Sequence, residues 1–362
     1  QRRSRPGSGA HGHSIGLSLR AVFHFAMMPR CFLFCALLGI GVSSCTGKLP
    51  EFDEGAALEK QVSGERAFQH VEALVGFGPR PAGSAELEES RLYLIEQLAS
   101  AGWEVQRQTF SKKTPEGSVE FVNLRARFGT ERWDQPIEGL LCSHYDTKQY
   151  ESFEFVGAND GGSSTGLLVE LAHVLKERPW IAEKLELVFF DGEEAFGPNI
   201  TPRDGLYGSR YYAAEITLTD PELRPRWGLL LDMVGDKDLK IRAGVQIPGA
   251  LLEDLAKLRE SDYRVDIQAV KTGIQLISKQ LLQSAEELDL RKEVGISPDY
   301  IVDDHIPLNV VAGIPTIDLI DFDYPFWHGP GDTLDKVSAE SLEVSGRITM
   351  WLVEKYLIRS GH

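Results

Sequence analysis

The first thirty residues hold no acid at all, although they hold five arginines, Arg2, Arg3, Arg5, Arg20 and Arg30. No apolar run in the chain is long enough to span a bilayer comfortably. The one that follows the arginines, Cys31 to Val42, has about a dozen residues, where a spanning helix needs about twenty. A basic flank, a short apolar run and a small-residue end read as an export signal rather than an anchor helix. Met27 or Met28 suits the start of such a signal better than Gln1. Cysteine is also scarce, with four in 362 residues. Cys31 and Cys35 would leave with the signal and Cys45 sits at its end, so Cys142 remains alone inside a strand. That excludes an intramolecular disulfide framework and a cysteine metal site. No Pro/Ser/Gly linker divides the chain, and no internal repeat is visible, so one elaborated domain is expected.

Basic residues are in deficit. The formal net charge is −16. Removing the leader takes 38 basic residues to 33 against 54 acidic ones, net −21. A surface that acidic argues against nucleic-acid binding, which needs a basic patch. The leader ends Val42-Ser43-Ser44-Cys45, which resembles a bacterial lipobox whose Cys becomes the lipidated first residue. The expectation is therefore a leader over 1–45, a tether over 46–64 and a catalytic domain over 65–362. The protein is expected to be exported and lipid-anchored at Cys45, periplasmic or outer-membrane facing, with no other membrane contact. A monomer is expected.

What is present is an alternation of apolar strands and helices. Phe68, Val71, Leu74 and Val75 have helical spacing, and Ser84 is placed to cap a helix running to about Ala101. Trp103 to Phe110 and Val119 to Phe128 read as two strands joined by a turn near Pro115 to Gly117. Ile137 to Ser143, Leu185 to Asp191, Trp227 to Asp232 and Pro315 to Ile320 read as buried strands. Residues 249–290 look largely helical, and Ser338 caps a closing helix. This pattern predicts an α/β fold, a three-layer α/β/α sandwich with a mixed, mostly parallel central sheet.

The centre of the pattern is Leu187-Val188-Phe189-Phe190-Asp191-Gly192-Glu193-Glu194, a buried strand that runs straight into acids. His144-Tyr145-Asp146 and Asp232 also end buried strands. Asp160 precedes a helix among Gly157, Gly161 and Gly162, and His328 follows the last strand. Parallel strands bring their C-terminal ends to one edge, so these groups should converge there. Carboxylates with imidazole suit zinc that keeps an open position. His70, His173 and His362 are better read as packing or surface residues.

Taken together, six segments resemble the M28 metallopeptidase superfamily from about residue 65 onward. They are Arg80 to Ser84, His144 to Asp146, Gly157 to Asp160, Asp191 to Glu194, Leu231 to Gly235, and Trp327-His328 followed by Asp332 to Asp335. The resemblance implies a zinc exopeptidase-like fold and one of two chemistries. Animal-type glutaminyl-peptide cyclotransferases hold one zinc, and the resemblance places it on Asp160, Glu194 and His328. It makes Glu193 the proton shuttle, with Asp232 and Asp303 a hydrogen-bonded pair beside it. Trp327 and Tyr324 would wall the pocket for the N-terminal residue of a peptide or protein. The alternative is a two-zinc aminopeptidase, in which His144 and Asp232 join a second metal bridged by Asp160 and Glu193 activates water. Phe189 to Phe196, Leu206 to Arg210, Asp303 to Pro307 and Trp327-His328 resemble the cyclases. Two departures stand out: Gly197-Pro198-Asn199-Ile200 lacks the cyclases' Trp, and Asp318 stands where they have a His. A non-catalytic lipoprotein module on the same fold is the third reading, which the intact Glu193/Glu194 pair opposes.

Overall fold

The computed structural model describes residues 57–249 and 264–358. The leader, Cys45, His362 and most of the expected tether lie outside them. Helices α1 (Gly64–Gly76) and α2 (Ala85–Ser100) come first, followed by strands β1 (Trp103–Thr114), β2 (Gly117–Phe128) and β3 (Gly139–His144). Helices α3 (Gly162–Leu175) and α4 (Pro179–Ala182) lead to β4 (Leu185–Phe190), α5 (Tyr207–Leu218) and β5 (Trp227–Asp232). After these come β6 (Ile241–Ala243), α6 (Ile267–Glu287), β7 (Val294–Ile296), β8 (Thr316–Ile320) and α7 (Ala339–Leu352).

The main sheet runs β1-β2-β4-β3-β5-β8. β1 and β2 form an antiparallel hairpin paired from Trp103↔Phe128 to Thr114↔Gly117. That hairpin joins β4 antiparallel, whereas β4, β3, β5 and β8 are parallel to one another. The sheet is thus mixed and mostly parallel at its centre. β6 and β7 form a small separate parallel pair.

Every residue of β3, β4 and β5 is buried, as expected of strands covered on both faces. Successive side chains point to opposite faces. Leu141, Leu187, Phe189, Leu229 and Leu231 therefore join the core beneath α1, α3 and α7. Leu140, Cys142, Val188, Phe190 and Leu230 face α5 and residues 306–314 instead. These are the two interlayer cores of an α/β/α sandwich. Gly166 lets α1 lie against α3, since a Cβ there would stand 2.7 Å from Val71 Cγ2. The caps follow the sequence: Ser84 Oγ accepts the Leu87 N–H at 3.1 Å, and Ser338 Oγ accepts that of Ser341 at 3.1 Å.

The tether expectation needs correcting at its end. Leu58, Val62 and Ser63 are buried rather than trailing. The Leu58 N–H donates to Glu354 Oε2 at 3.0 Å, and the Ser63 N–H to Glu170 Oε1 at 2.9 Å. The reason is burial of an apolar pair, Leu58 and Val62, that short-range patterning did not assign to any element. Within 249–290, α6 accounts for the helical reading over 267–287; residues 250–263 lie outside the description. The short β6/β7 pair was not foreseen, because three-residue strands carry too little periodicity to register.

Candidate active site

The strand ends do converge. His144 closes β3, Glu193 and Glu194 follow β4, and Asp232 closes β5. Asp160 precedes α3, and His328 lies beyond β8. Two residues pay backbone strain at this edge: His328 has φ 54° and Met233 has φ 45°, in the left-handed region that side chains usually avoid. Gly161 (φ 76°) and Gly192 (φ 71°) need to be glycine. A Cβ on Gly161 would lie 2.9 Å from His144 Cε1, and one on Gly192 would lie 2.4 Å from Phe121 Cε1.

Three aspartates hold the site loops by one shared device. Each accepts two consecutive backbone N–H groups, which leaves those loops no unpaired donors there. Asp146 accepts from Glu193 (3.1 Å) and Glu194 (3.3 Å). Asp204 accepts from Phe196 (3.0 Å) and Gly197 (2.7 Å). Asp332 accepts from Asn159 (2.8 Å) and Asp160 (3.1 Å). Behind them lies Arg80, fully buried, donating to the carbonyls of Leu74, Gly78, Val156 and Gly157. Burial pulls its pKa down to about 10 although Asp146 and Asp332 favour its charge. Asp191 points away from the cavity: its carboxylate takes the Val122 N–H at 2.7 Å and Arg91 at 3.1 Å, which ties the acidic turn to β2.

Two sets of metal-capable groups meet at Asp160. His328 Nε2 lies 3.5 Å from Asp160 Oδ2 and 3.3 Å from Glu194 Oε1. His144 Nε2 lies 3.3 Å from Asp160 Oδ1 and 3.2 Å from Asp232 Oδ1. Tetrahedral zinc with bonds of about 2.0–2.1 Å sets its ligand atoms about 3.3 Å apart. Both sets match that edge. Asp160 Oδ2 and Glu194 Oε1 are moreover buried with no hydrogen-bond partner among the described residues, and a cation would satisfy them by taking their lone pairs as ligands. The donor set, carboxylate and imidazole, fits zinc.

The cavity in front of these groups measures about 260 Å³. Five carboxylates line it, Asp160, Glu193, Glu194, Asp232 and Asp303, against one cation, Lys148. Lys148 is buried and donates to the Ala195 carbonyl at 2.7 Å and to Glu194 Oε2 at 3.5 Å. Crowded, desolvated carboxylates resist ionisation. Burial, then Glu194, pushes Asp160 up to about 7. Burial, then Asp303 and Glu194, holds Glu193 well above the usual carboxylate range. Asp303 is raised by burial and by Asp232 and Asp304. Burial disfavours a charged His144, but Asp146, Asp160 and Asp232 outweigh it and hold the ring well above its usual value.

The structure brings together Asp160, Glu193, Glu194, Asp232, Asp303, Trp327 and His328 around that cavity. Trp327 stacks on the His328 ring at 4.1 Å between centroids, and Phe155 meets the same ring edge-on at 6.0 Å. One expectation is corrected. Tyr324 does not line the cavity; it is 3% exposed and its hydroxyl donates to Asp332 Oδ1 at 2.7 Å. Its phenol serves the clamp on Asp160, and Phe322 and Tyr300 take its expected place on the wall. Asp303 sits in a cluster of buried acids: burial, then Asp232, raises its pKa, and burial, then Asp303 and Asp232, raises that of Asp318. His305 Nδ1 lies 3.8 Å from Asp318 Oδ2, so a histidine neighbours this network from a different position in the chain.

Sequence reading did not single out Lys148, Tyr300, Phe322 or the clamping roles of Asp146, Asp204 and Asp332. Asp146 and Asp332 did belong to segments that carried the resemblance, which was the one available signal. His70 and His173 stack on each other at 6.1 Å, away from the cavity.

Known proteins resemble this chain in sequence and in fold. The model of peptidase family M28 matches residues 123–353. Glutaminyl-peptide cyclotransferase of Drosophila melanogaster is 28% identical over 294 residues, covering 77% of this chain and 78% of the relative. The crystal structure of an Acidobacteriales bacterium glutaminyl cyclase superposes with a TM-score of 0.64 at 28% identity, over 85% of this chain and 97% of that one. A leucine aminopeptidase precursor from Bacteroides thetaiotaomicron shares the fold, with a TM-score of 0.68 at 22% identity over 83% of this chain and 99% of that one.

Proposed function

The chain belongs to peptidase family M28, and we propose that it works there as a zinc-dependent glutaminyl-peptide cyclotransferase. It closes the N-terminal glutamine of a peptide or protein to pyroglutamate and releases ammonia, as the names of its relatives indicate for them. The observation that carries this reading is the placement of two cavity acids, Glu193 and Asp303, in the same small cavity as the metal-capable set Asp160, Glu194 and His328; burial raises both acids, and Asp303 raises Glu193 further.

The reaction joins the α-nitrogen to the side-chain carbonyl carbon and breaks that carbon's bond to the amide nitrogen. The α-ammonium must lose a proton, and the leaving amine must gain one. Glu193 faces the cavity and can do both in turn. Asp303, in the same cavity, raises the proton affinity of Glu193. Asp160, Glu194 and His328 are assigned to the zinc, which when bound supplies a Lewis acid for the side-chain carbonyl. Trp327 walls the pocket and holds the His328 ring. Because both reacting groups belong to one residue, much of the acceleration comes from fixing their approach. The small cavity supplies that constraint. We further propose export and lipid anchoring at Cys45.

The second set, His144, Asp160 and Asp232, favours one competing reading, a two-zinc aminopeptidase. Purified protein offered Gln-Ala-Ala and Leu-Ala-Ala separates the two. Ammonia and pyroglutamate from the first, with the second intact, support the cyclase. Free leucine without pyroglutamate would sink it. Elemental analysis supplies the metal count: about one zinc for the cyclase, about two for the peptidase.

A further inference from the structure

A cavity of about 260 Å³ is at the small end for ligand pockets and has room for about one residue. The rest of a bound peptide must cross its rim. Tyr300 stands on that rim, 65% exposed, and lines both the cavity and a second, more open groove of about 600 Å³. Ile247, Ile274 and Leu282 give this groove an apolar floor, and Lys271 and Lys279 stand along α6 beside it. The Gln246 side chain donates to the Pro298 carbonyl at 2.8 Å, which ties the β6 side of the groove to the segment carrying Tyr300.

The spacing 271, 274, 278, 282 follows one face of α6. Eleven residues of helix measure about 16 Å, which an extended peptide covers in about five residues. Both lysines are exposed, and neither joins an ion pair among the described residues. In a chain of net charge −16 they give this groove a local excess of positive charge among the described residues.

We propose that this groove receives the substrate downstream of its N-terminal residue and selects acidic segments there. The inference rests on the cyclase reading and extends it to substrate class. The apolar floor takes side chains on one side of the strand, and the two lysines attract carboxylates on the other.

The test uses the full zinc-loaded chain and three substrates: Gln-Gly-Ala amide, and Gln-Gly-Ala octapeptides with Glu or Lys at positions four to six. The Glu octapeptide should exceed the Lys octapeptide about tenfold in kcat/KM at low salt, and the ratio should shrink as salt screens the lysines. In Lys271→Glu/Lys279→Glu the ratio should invert while the short amide is turned over as before. That unchanged turnover also shows that the variant folds. Equal kcat/KM for the two octapeptides, or a ratio that the double substitution leaves alone, overturns the groove and leaves it to another occupant. Absence of pyroglutamate from all three substrates overturns the catalytic reading itself, and the groove's role with it.

Discussion

The Asp332 carboxylate accepts the backbone N–H of Asp160 at 3.1 Å. The residue that bridges both metal sets is thus held through its main chain by a loop beyond the last strand. Tyr324 completes the arrangement by donating to the same carboxylate. Replacing Asp332 by Asn turns one acceptor into a donor that faces those N–H groups. Asp332→Asn should weaken zinc binding about 10–100-fold, as loss of an outer-shell partner does. Competition with a chelator measures this, and circular dichroism checks that the fold persists. Tyr324→Phe should weaken zinc in the same direction without raising KM for a Gln tripeptide; a raised KM at unchanged zinc affinity would restore Tyr324 to the pocket wall.

Glu193→Gln keeps the shape of the side chain and removes its proton chemistry. Ammonia release from Gln-Ala-Ala should fall about 10²–10⁴-fold, with zinc content unchanged. Activity within threefold of the native protein would show that the proton moves by another route.

Removing zinc should expose the carboxylate crowding as a pH dependence. Asp160 and Asp304 both have pKa values pushed up to about 7 by burial, above their ordinary value of 3.8. Between those two values the folded state binds more protons than the unfolded one, so stability falls as pH rises through the window. The melting temperature of chelated protein should therefore drop from about pH 5 to about pH 7.5, and that of zinc-loaded protein should drop less. A chelated protein whose melting temperature rises over this range would contradict the account. Differential scanning calorimetry at several pH values reads it directly.

Glu186, on the far side of the sheet, behaves in the opposite sense. Burial disfavours its charge, but Arg125 and Arg127 outweigh burial and keep its pKa below the ordinary 4.5. Arg125 Nε donates at 2.6 Å, Arg127 Nε at 2.7 Å and the Tyr212 hydroxyl at 3.1 Å. Its stabilisation is present above the unfolded carboxylate pKa and is lost as pH falls through the depressed folded value. Glu186→Ala takes the carboxylate from the buried Arg127 and the half-buried Arg125 and should cost about 3–5 kcal/mol. Urea denaturation at pH 7 tests the magnitude, and the difference from native protein should narrow in acid.

Much of the fold was legible because burial imposes periodicity. The continuous apolar runs of β3, β4 and β5 marked strands covered on both faces, and Ser84 and Ser338 marked helix starts by their caps. The acids and histidines ending those runs pointed to one edge, because parallel strands share a direction. Tyr324 misled because an aromatic beside a site histidine can face either the pocket or the support behind it, and local order does not say which.

The chain's own pattern therefore determined the sandwich and its reactive edge, while the proposed division between Glu194 as a ligand and Glu193 as an acid came from the family resemblance. Tertiary structure alone decided that Asp146 and Asp332 serve as clamps and that Lys148 enters the cavity. The physical reason is the nature of the partners. A clamp binds backbone N–H groups, which every residue but proline carries and which no side-chain pattern encodes. Its partner is chosen solely by where the folded chain brings Asp332 against Asp160.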